Sequence, residues 1–125
     1  MLNQSDAAAT VAVRDIDAAK EYYGTTLGLR VIDENPGAVT FQAGSTRLIV
    51  YPSTFAGTNQ ATAVSWFVAD LDATIADLKS RGVTFEHYDL PDTTLEGDVH
   101  VLGGVLRGAW FTDPDGNIHG MTEGM

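Results

Sequence analysis

The chain has 125 residues, 44% hydrophobic and 19% charged, which is material for one compact domain and its core and too little for two ordinary ones. A formal net charge of −10 sets it against nucleic-acid phosphates and anionic membrane surfaces, and mildly favours neutral or cationic guests. It has no cysteine, which excludes disulfides, thiolate metal sites and cysteine nucleophiles.

In chain order, Met1-Leu2-Asn3-Gln4-Ser5-Asp6 has neither the basic nor the apolar region of a signal peptide. No apolar run approaches membrane-spanning length, so a soluble cytoplasmic protein is expected. Ala8 to Val13 reads as a strand. Asp15 is a good N-cap, and Ile16, Ala19, Tyr23 and Leu27 then fall at helical spacing, with Gly28 as the stop. Strands follow at Leu29 to Asp33, Ala38 to Ala43 and Arg47 to Tyr51, with turns at Asn35-Pro36-Gly37 and Ala43-Gly44-Ser45.

The plan then repeats. Val13-Arg14-Asp15-Ile16-Asp17-Ala18-Ala19 returns as Val68-Ala69-Asp70-Leu71-Asp72-Ala73-Thr74, an offset of 55 positions (Asp15 to Asp70). Ala61 to Val68 is a strand, Asp70 caps a helix with Leu71, Ile75 and Leu78 on its buried stripe, and Gly82 ends it. Further strands are expected at Val83 to Asp89, Leu106 to Thr112 and Ile118 to Thr122, the last two joined by the turn Asp113-Pro114-Asp115-Gly116-Asn117. Each module reads βαβββ: module one about 8–52, a linker about 53–60, module two about 61–122. Leu90 to Gly104, polar and glycine-bearing, reads as a mobile loop beside a binding site.

Val-x-Asp-(Ile/Leu)-Asp followed by an aromatic pair and Leu-Gly-Leu (Val13 to Leu29), its second copy from Phe67 to Val83, and the ending Ala109-Trp110-Phe111-Thr112-Asp113-Pro114-Asp115-Gly116-Asn117 together resemble the vicinal oxygen chelate superfamily of glyoxalases, bleomycin-resistance proteins and dioxygenases. The resemblance covers about Ala8 to Thr122. It implies an α+β fold in which two βαβββ modules form a curved, mixed or antiparallel sheet around a cleft with helices outside, and a homodimer.

Catalytic members of that superfamily hold a divalent metal on inward residues of each module's first and last strands. Seven residues before each capping aspartate stand Ala8 and Ala63, and the last-strand positions hold Ile49 or Val50 and Gly120. None is a ligand, so no metal and no other cofactor is expected. Among their neighbours only His119 is a good donor, and alternation puts it on the helix side of its strand.

The residues expected to line a ligand-binding cleft are Thr10, Ala12, Tyr51, Ser65, Phe67, Trp110 and His100, while Trp66 and Phe111 belong to the core. Asp113 and Asp115 read as turn-formers, and Asp15 and Asp70 as caps. There is no nucleophile elbow, phosphate loop or dinucleotide fingerprint. The expected function is metal-free binding of a small organic molecule, the acidic balance suiting a cationic one. The alternatives are an enzyme of this superfamily with a non-standard site, its base one of Glu86, His87 or His100, and a dimeric scaffold. No catalytic residue is assigned.

Overall fold

Each half of the chain opens with a strand that feeds a capped helix. In the computed structural model, which describes residues 1–123, β1 (Ala9–Val13) leads into α1 (Ile16–Lys20), and β5 (Thr62–Val68) leads into α2 (Leu71–Ser80). The Asp15 carboxylate accepts from the backbone N–H groups of Asp17 and Ala18, and Asp70 accepts from that of Ala73, so both aspartates satisfy free helix-end donors.

The first helix does not stay α-helical. From Glu21 to Thr26 it winds as a π-helix. The wider turn brings two consecutive side chains towards the sheet, Tyr23 fully buried and Tyr22 half-buried, where α-helical spacing would bring one.

The strands β2 (Arg30–Asn35), β3 (Ala38–Ala43) and β4 (Thr46–Pro52) complete a sheet in the order β1-β4-β3-β2, with β1 parallel to β4 and the other pairs antiparallel. The second sheet runs β5-β10-β9-β8-β7, where β7 is Thr93–Glu96, β8 is Val99–Leu102, β9 is Leu106–Thr112 and β10 is Ile118–Glu123; the two-residue β6 (Phe85–Glu86) also pairs with β9. The architecture is α+β, with mixed sheets and few helices.

The sequence-based expectations fail in the second half. The strand expected at Val83 to Asp89 contracts to β6, because the Tyr88 N–H donates to the His100 ring instead of a neighbouring strand. Leu90 to Gly104 is a hairpin, not a loop. It consists of β7 (Thr93–Glu96) and β8 (Val99–Leu102), with Glu96 opposite Val99 across Gly97-Asp98. Gly97 supplies the positive φ (+63°) that a two-residue hairpin turn requires. The first-module strand expected at Leu29 to Asp33 begins one residue later and continues to Asn35.

One face of each sheet meets the helices. Val11, Val13, Val39, Phe41, Leu48 and Val50 pack with Ala19 and Tyr23, and Leu71, Ile75 and Leu78 pack on Phe85, Val99, Ala109, Phe111 and Met121. Leu27 and Trp66 touch both clusters and join them into one core. The alternate residues of the same strands carry no helix and form an open face. The linker is anchored: Ala56 is fully buried, and the Ser53 N–H donates to the Val13 carbonyl.

Candidate functional site

Strand register orders the open face. On the first sheet Thr10 stands opposite Ile49 and Ala12 opposite Tyr51. On the second, Ser65 and Phe67 stand opposite Gly120 and Thr122, and Gly120 stands opposite Trp110. Thr10 and Ser65 are exposed, Ala12 and Trp110 half-buried, Tyr51 is 38% exposed and Phe67 65% exposed. A 65% exposed phenylalanine on a strand whose other face is packed is an aromatic surface open to a ligand. Two grooves cut this side of the molecule. One, about 320 Å³, opens at the edge of the face, with Ser45, Arg47, Ser65 and Phe67 on one side and the helix-side residues Leu48 and Trp66 on the other. The other, about 380 Å³, is lined by Thr62, Tyr88, Trp110 and Ile118 among others.

His100 shares the parity of Trp110 but has no exposed surface. It sits in β8, not on a loop, with its ring 4.9 Å from that of Trp110 in an edge contact and 6.0 Å from Tyr88. Its Nε2 accepts from the Tyr88 N–H at 2.9 Å, which leaves the proton on Nδ1, and Nδ1 has no well-aligned partner. Burial lowers its pKa, with a further push from His87, while backbone carbonyls of Gly108 and Asp98 act in the opposite direction. His100 therefore braces the two aromatic walls of the groove from behind.

His87 lies past the end of β6, over half exposed, and its Nε2 is 2.8 Å from Asp98 Oδ1. Asp98 also takes Lys79 Nζ at 2.7 Å; the Lys79 bond first, and the His87 bond second, hold its carboxyl below the usual carboxylate range. Glu86 is half-buried and faces the open side opposite Trp110. The His87 and His100 rings stand 6.5 Å apart, but His100 is fully buried, so of the three candidate bases only Glu86 and His87 reach the surface.

The four positions where the superfamily resemblance places metal ligands carry no donor side chain. Gly120 is on the open face, Ala63 is the extra residue at a bulge in β5 and packs against the first core cluster, Ala8 just precedes β1, and of the two first-module alternatives Ile49 faces the open side while Val50 is buried against the helices. A Cβ built on Gly120 would meet Trp110 Nε1 at 3.0 Å, so the Trp110 indole, which donates to Thr62 Oγ1 at 3.3 Å, lies over the place of the missing side chain. Among the described residues no three His, Cys, Asp or Glu side chains gather as a metal would need. The residues present do not fit a divalent ion.

The opposite face of β10 is polar but closed. His119 is fully buried and stacks on Phe111 at 4.8 Å. Trp66 Nε1 donates to its Nδ1 at 3.0 Å, and its Nε2 is 2.8 Å from Tyr23 Oη. Indole N–H only donates, so Nδ1 must accept and the ring proton sits on Nε2, pointing at Tyr23. Tyr23 in turn donates to Asp113 Oδ2 at 2.7 Å. Asp113 also accepts from the side-chain amide of Asn117, which donates to the Ala12 carbonyl as well, and from the backbone N–H groups of Asp115 and Asn117. Burial pushes the His119 pKa down to about 4, partly offset by the Asp113 charge, and burial with the same carboxylate pushes the Tyr23 hydroxyl well up. This chain of bonds ties the π-helical stretch after α1, and β1, to the second sheet. The sequence places Asp113 in its turn but gives no sign of the network, because its bonds join residues up to 105 positions apart.

The comparisons with known proteins agree with this architecture. Residues 7–119 match the family model described as Glyoxalase/Bleomycin resistance protein/Dioxygenase superfamily. The chain belongs to that superfamily. It is similar in fold to a lactoylglutathione lyase from Agrobacterium tumefaciens (17% identity, 97% of this chain and 94% of that one, TM-score 0.72). It is also similar to a bleomycin-binding protein solved in complex with bleomycin (18% identity, 98% and 100%, TM-score 0.75). A glyoxalase/bleomycin resistance protein from Streptomyces sp. CB03234 shares 25% identity over 94% of this chain and 99% of that one, at a TM-score of 0.64. No curated protein matches the sequence significantly. No helix among the described residues is long and apolar enough to cross a membrane.

Proposed function

We propose that the protein is a metal-free small-molecule-binding member of the superfamily, one domain whose open sheet face holds a small organic ligand. The observation that carries this reading is the Trp110 indole lying over Gly120. The position where a metal-dependent relative would carry a carboxylate is given instead to an aromatic wall, and Ser65, opposite it, and Thr122, two residues along the same strand, are small and uncharged. Phe67, Trp110 and Tyr51 offer flat apolar surface, and Thr10 and Ser65 offer hydroxyls. That is the usual composition of an organic-ligand site, apolar walls with a few polar groups. A protein of similar fold is solved with bleomycin bound, which supports the reading by analogy of fold alone. A homodimer belongs to the proposal, because a second copy laid over the exposed Phe67 and Tyr51 rings would close the face.

Elemental analysis of the purified protein is expected to find no stoichiometric Ni, Zn, Mn or Fe. Thermal shift against a panel of single- and double-ring organic compounds is expected to give saturable stabilisation that Phe67→Ala and Trp110→Ala each remove. A stoichiometric metal whose removal lowers the melting temperature would overturn the proposal, as would ligand shifts that survive both substitutions.

A further inference from the structure

The sequence carries seven Lys and Arg residues against seventeen Asp and Glu. Five of the seven are held by carboxylates: Arg14 by Asp115, Lys20 by Glu34, Lys79 by Asp98, Arg81 by Asp77, and Arg107 by Asp72 and Glu123. Among the described residues the two cations without a carboxylate partner are Arg30 and Arg47. In a chain so rich in acids, an arginine without a partner is the exception, and here both exceptions fall together.

Strand register puts them in one row. Arg30 of β2 stands opposite Gln42 of β3, and Gln42 stands opposite Arg47 of β4. Their neighbours Phe41 and Leu48 are buried against the helices, so Arg30, Gln42 and Arg47 share the open face. Both arginines are exposed. Gln42 turns its amide N–H groups to the Gly44 and Thr46 carbonyls of the β3–β4 turn and adds no charge between them. The next charge along this face of β2 is Asp33, beyond a bulge, and it takes a long 3.5 Å bond from Asn35 Nδ2. Arg47 also forms part of the groove of about 320 Å³ whose other walls include Ser45, Ser65 and Phe67.

We infer that this row is an anion subsite of the ligand face, and that the ligand is an organic acid: a ring or short apolar body against Phe67 with its carboxylate on Arg47 and Arg30. A guanidinium presents two parallel N–H donors that match a carboxylate, and a pair two strands apart adds long-range attraction for the same charge. The bulk charge of −10 argues for a cationic guest, but the charge local to the groove has the opposite sign and a bound ligand meets the local one. This inference rests on the open face being the ligand site.

The probes are benzoate, its uncharged isostere benzamide, and inorganic phosphate, titrated by calorimetry and NMR into the wild type, Arg47→Gln, Arg30→Gln and Phe67→Ala. Benzoate is expected to bind on the order of tenfold more tightly than benzamide, to lose about that factor in Arg47→Gln, and to weaken as salt screens the exposed arginines. Both arginines are exposed, so their variants are expected to melt with the wild type. Equal binding of benzoate and benzamide, undiminished in both arginine variants, overturns the anion subsite and leaves the groove. Arginine-dependent benzoate binding that ignores Phe67→Ala supports the subsite and overturns the aromatic-face reading. Phosphate binding without benzoate binding overturns the organic-acid assignment. Loss of a dimer in Arg47→Gln with unchanged probe affinity shows that the arginines hold a second copy, which overturns it as well. No saturable binding by any probe overturns both readings.

Discussion

Acid should attack this protein first at His119. Protonating its Nδ1 would set an imidazolium N–H against the Trp66 indole N–H 3.0 Å away, in a site without solvent, where the one nearby charge able to stabilise it is the Asp113 carboxylate beyond Tyr23. Burial therefore holds the pKa at about 4, against roughly 6.5 for a histidine in the unfolded chain. The folded value lies below the unfolded one, so the unfolded chain takes up the proton first. The stabilisation is whole above about pH 6.5 and is lost as pH falls towards 4. Each pH unit in that window removes about 1.4 kcal/mol, so the fall from pH 6.5 to 4.5 removes about 2–3 kcal/mol. Urea unfolding of the wild type and of His119→Leu at pH 7.0 and pH 4.5 isolates this contribution, since His87, His100 and the carboxylates remain in both. The variant loses stability at pH 7, with Trp66 Nε1 left without an acceptor, but its loss between the two pH values is smaller by about 2–3 kcal/mol. Parallel pH profiles for the two proteins, or an NMR titration of His119 in the folded state with a midpoint near 6.5, would refute the reasoning.

Tyr23→Phe removes the oxygen between His119 and Asp113 and leaves the His119 Nε2–H without an acceptor; it is expected to cost about 2–3 kcal/mol in urea unfolding, and a cost under about 0.5 would mean that the bonds do not tie the two sheets. Gly57→Ala is expected to cost about 3 kcal/mol or more, because the backbone there has φ +70° and a Cβ would lie 1.9 Å from the Asp115 carbonyl oxygen. Gly44→Ala, with φ +57° and nothing within 4 Å of the new Cβ, should cost only about 1 kcal/mol, and equal losses at the two sites would show that the contact with the Asp115 turn is not what matters. Gly120→Ala must displace the Trp110 indole; a changed Trp110 fluorescence spectrum with little loss of stability is expected, and an unchanged spectrum counts against the indole lying there.

The first module was largely legible because its signals are local. Asp15 and Asp70 cap helices through bonds to residues two or three positions on, and the Asp113 turn closes within five. The repeat at offset 55 carries the same grammar into the second half, and it succeeds for β5, α2, β9 and β10. It fails between them, where polarity points to a loop and the chain forms the β7–β8 hairpin. Thr93-Thr94-Leu95-Glu96-Gly97-Asp98-Val99 does hold a hairpin signal, a Gly-Asp pair between alternating residues. The π-helical turn was not legible: periodicity places Tyr23 on the buried stripe, but the extra inward rotation of Tyr22 is fixed by its bond to the Thr112 carbonyl 90 positions away. For the open face, strand parity is informative where a strand is long and buried on one side, as in β5 and β10. It says nothing of pairing between strands, so the alignment of Arg30, Gln42 and Arg47 appears only with the register.

Register also explains why the one donor beside the superfamily's ligand position does not serve as one. His119 and Gly120 are consecutive, so they point to opposite faces of β10, and a slip of one residue would exchange them. That slip would bring Met121 out of the core cluster, strip Trp66 and Tyr23 of their shared partner, and drive the imidazole into the space under the Trp110 indole. Each of these is a loss, and they fall together because all depend on the same pairing. The buried network on one side of the strand and the aromatic wall on the other are thus one arrangement, in which the fold keeps its histidine for the core and leaves the open face to Phe67, Trp110 and the two unpaired arginines.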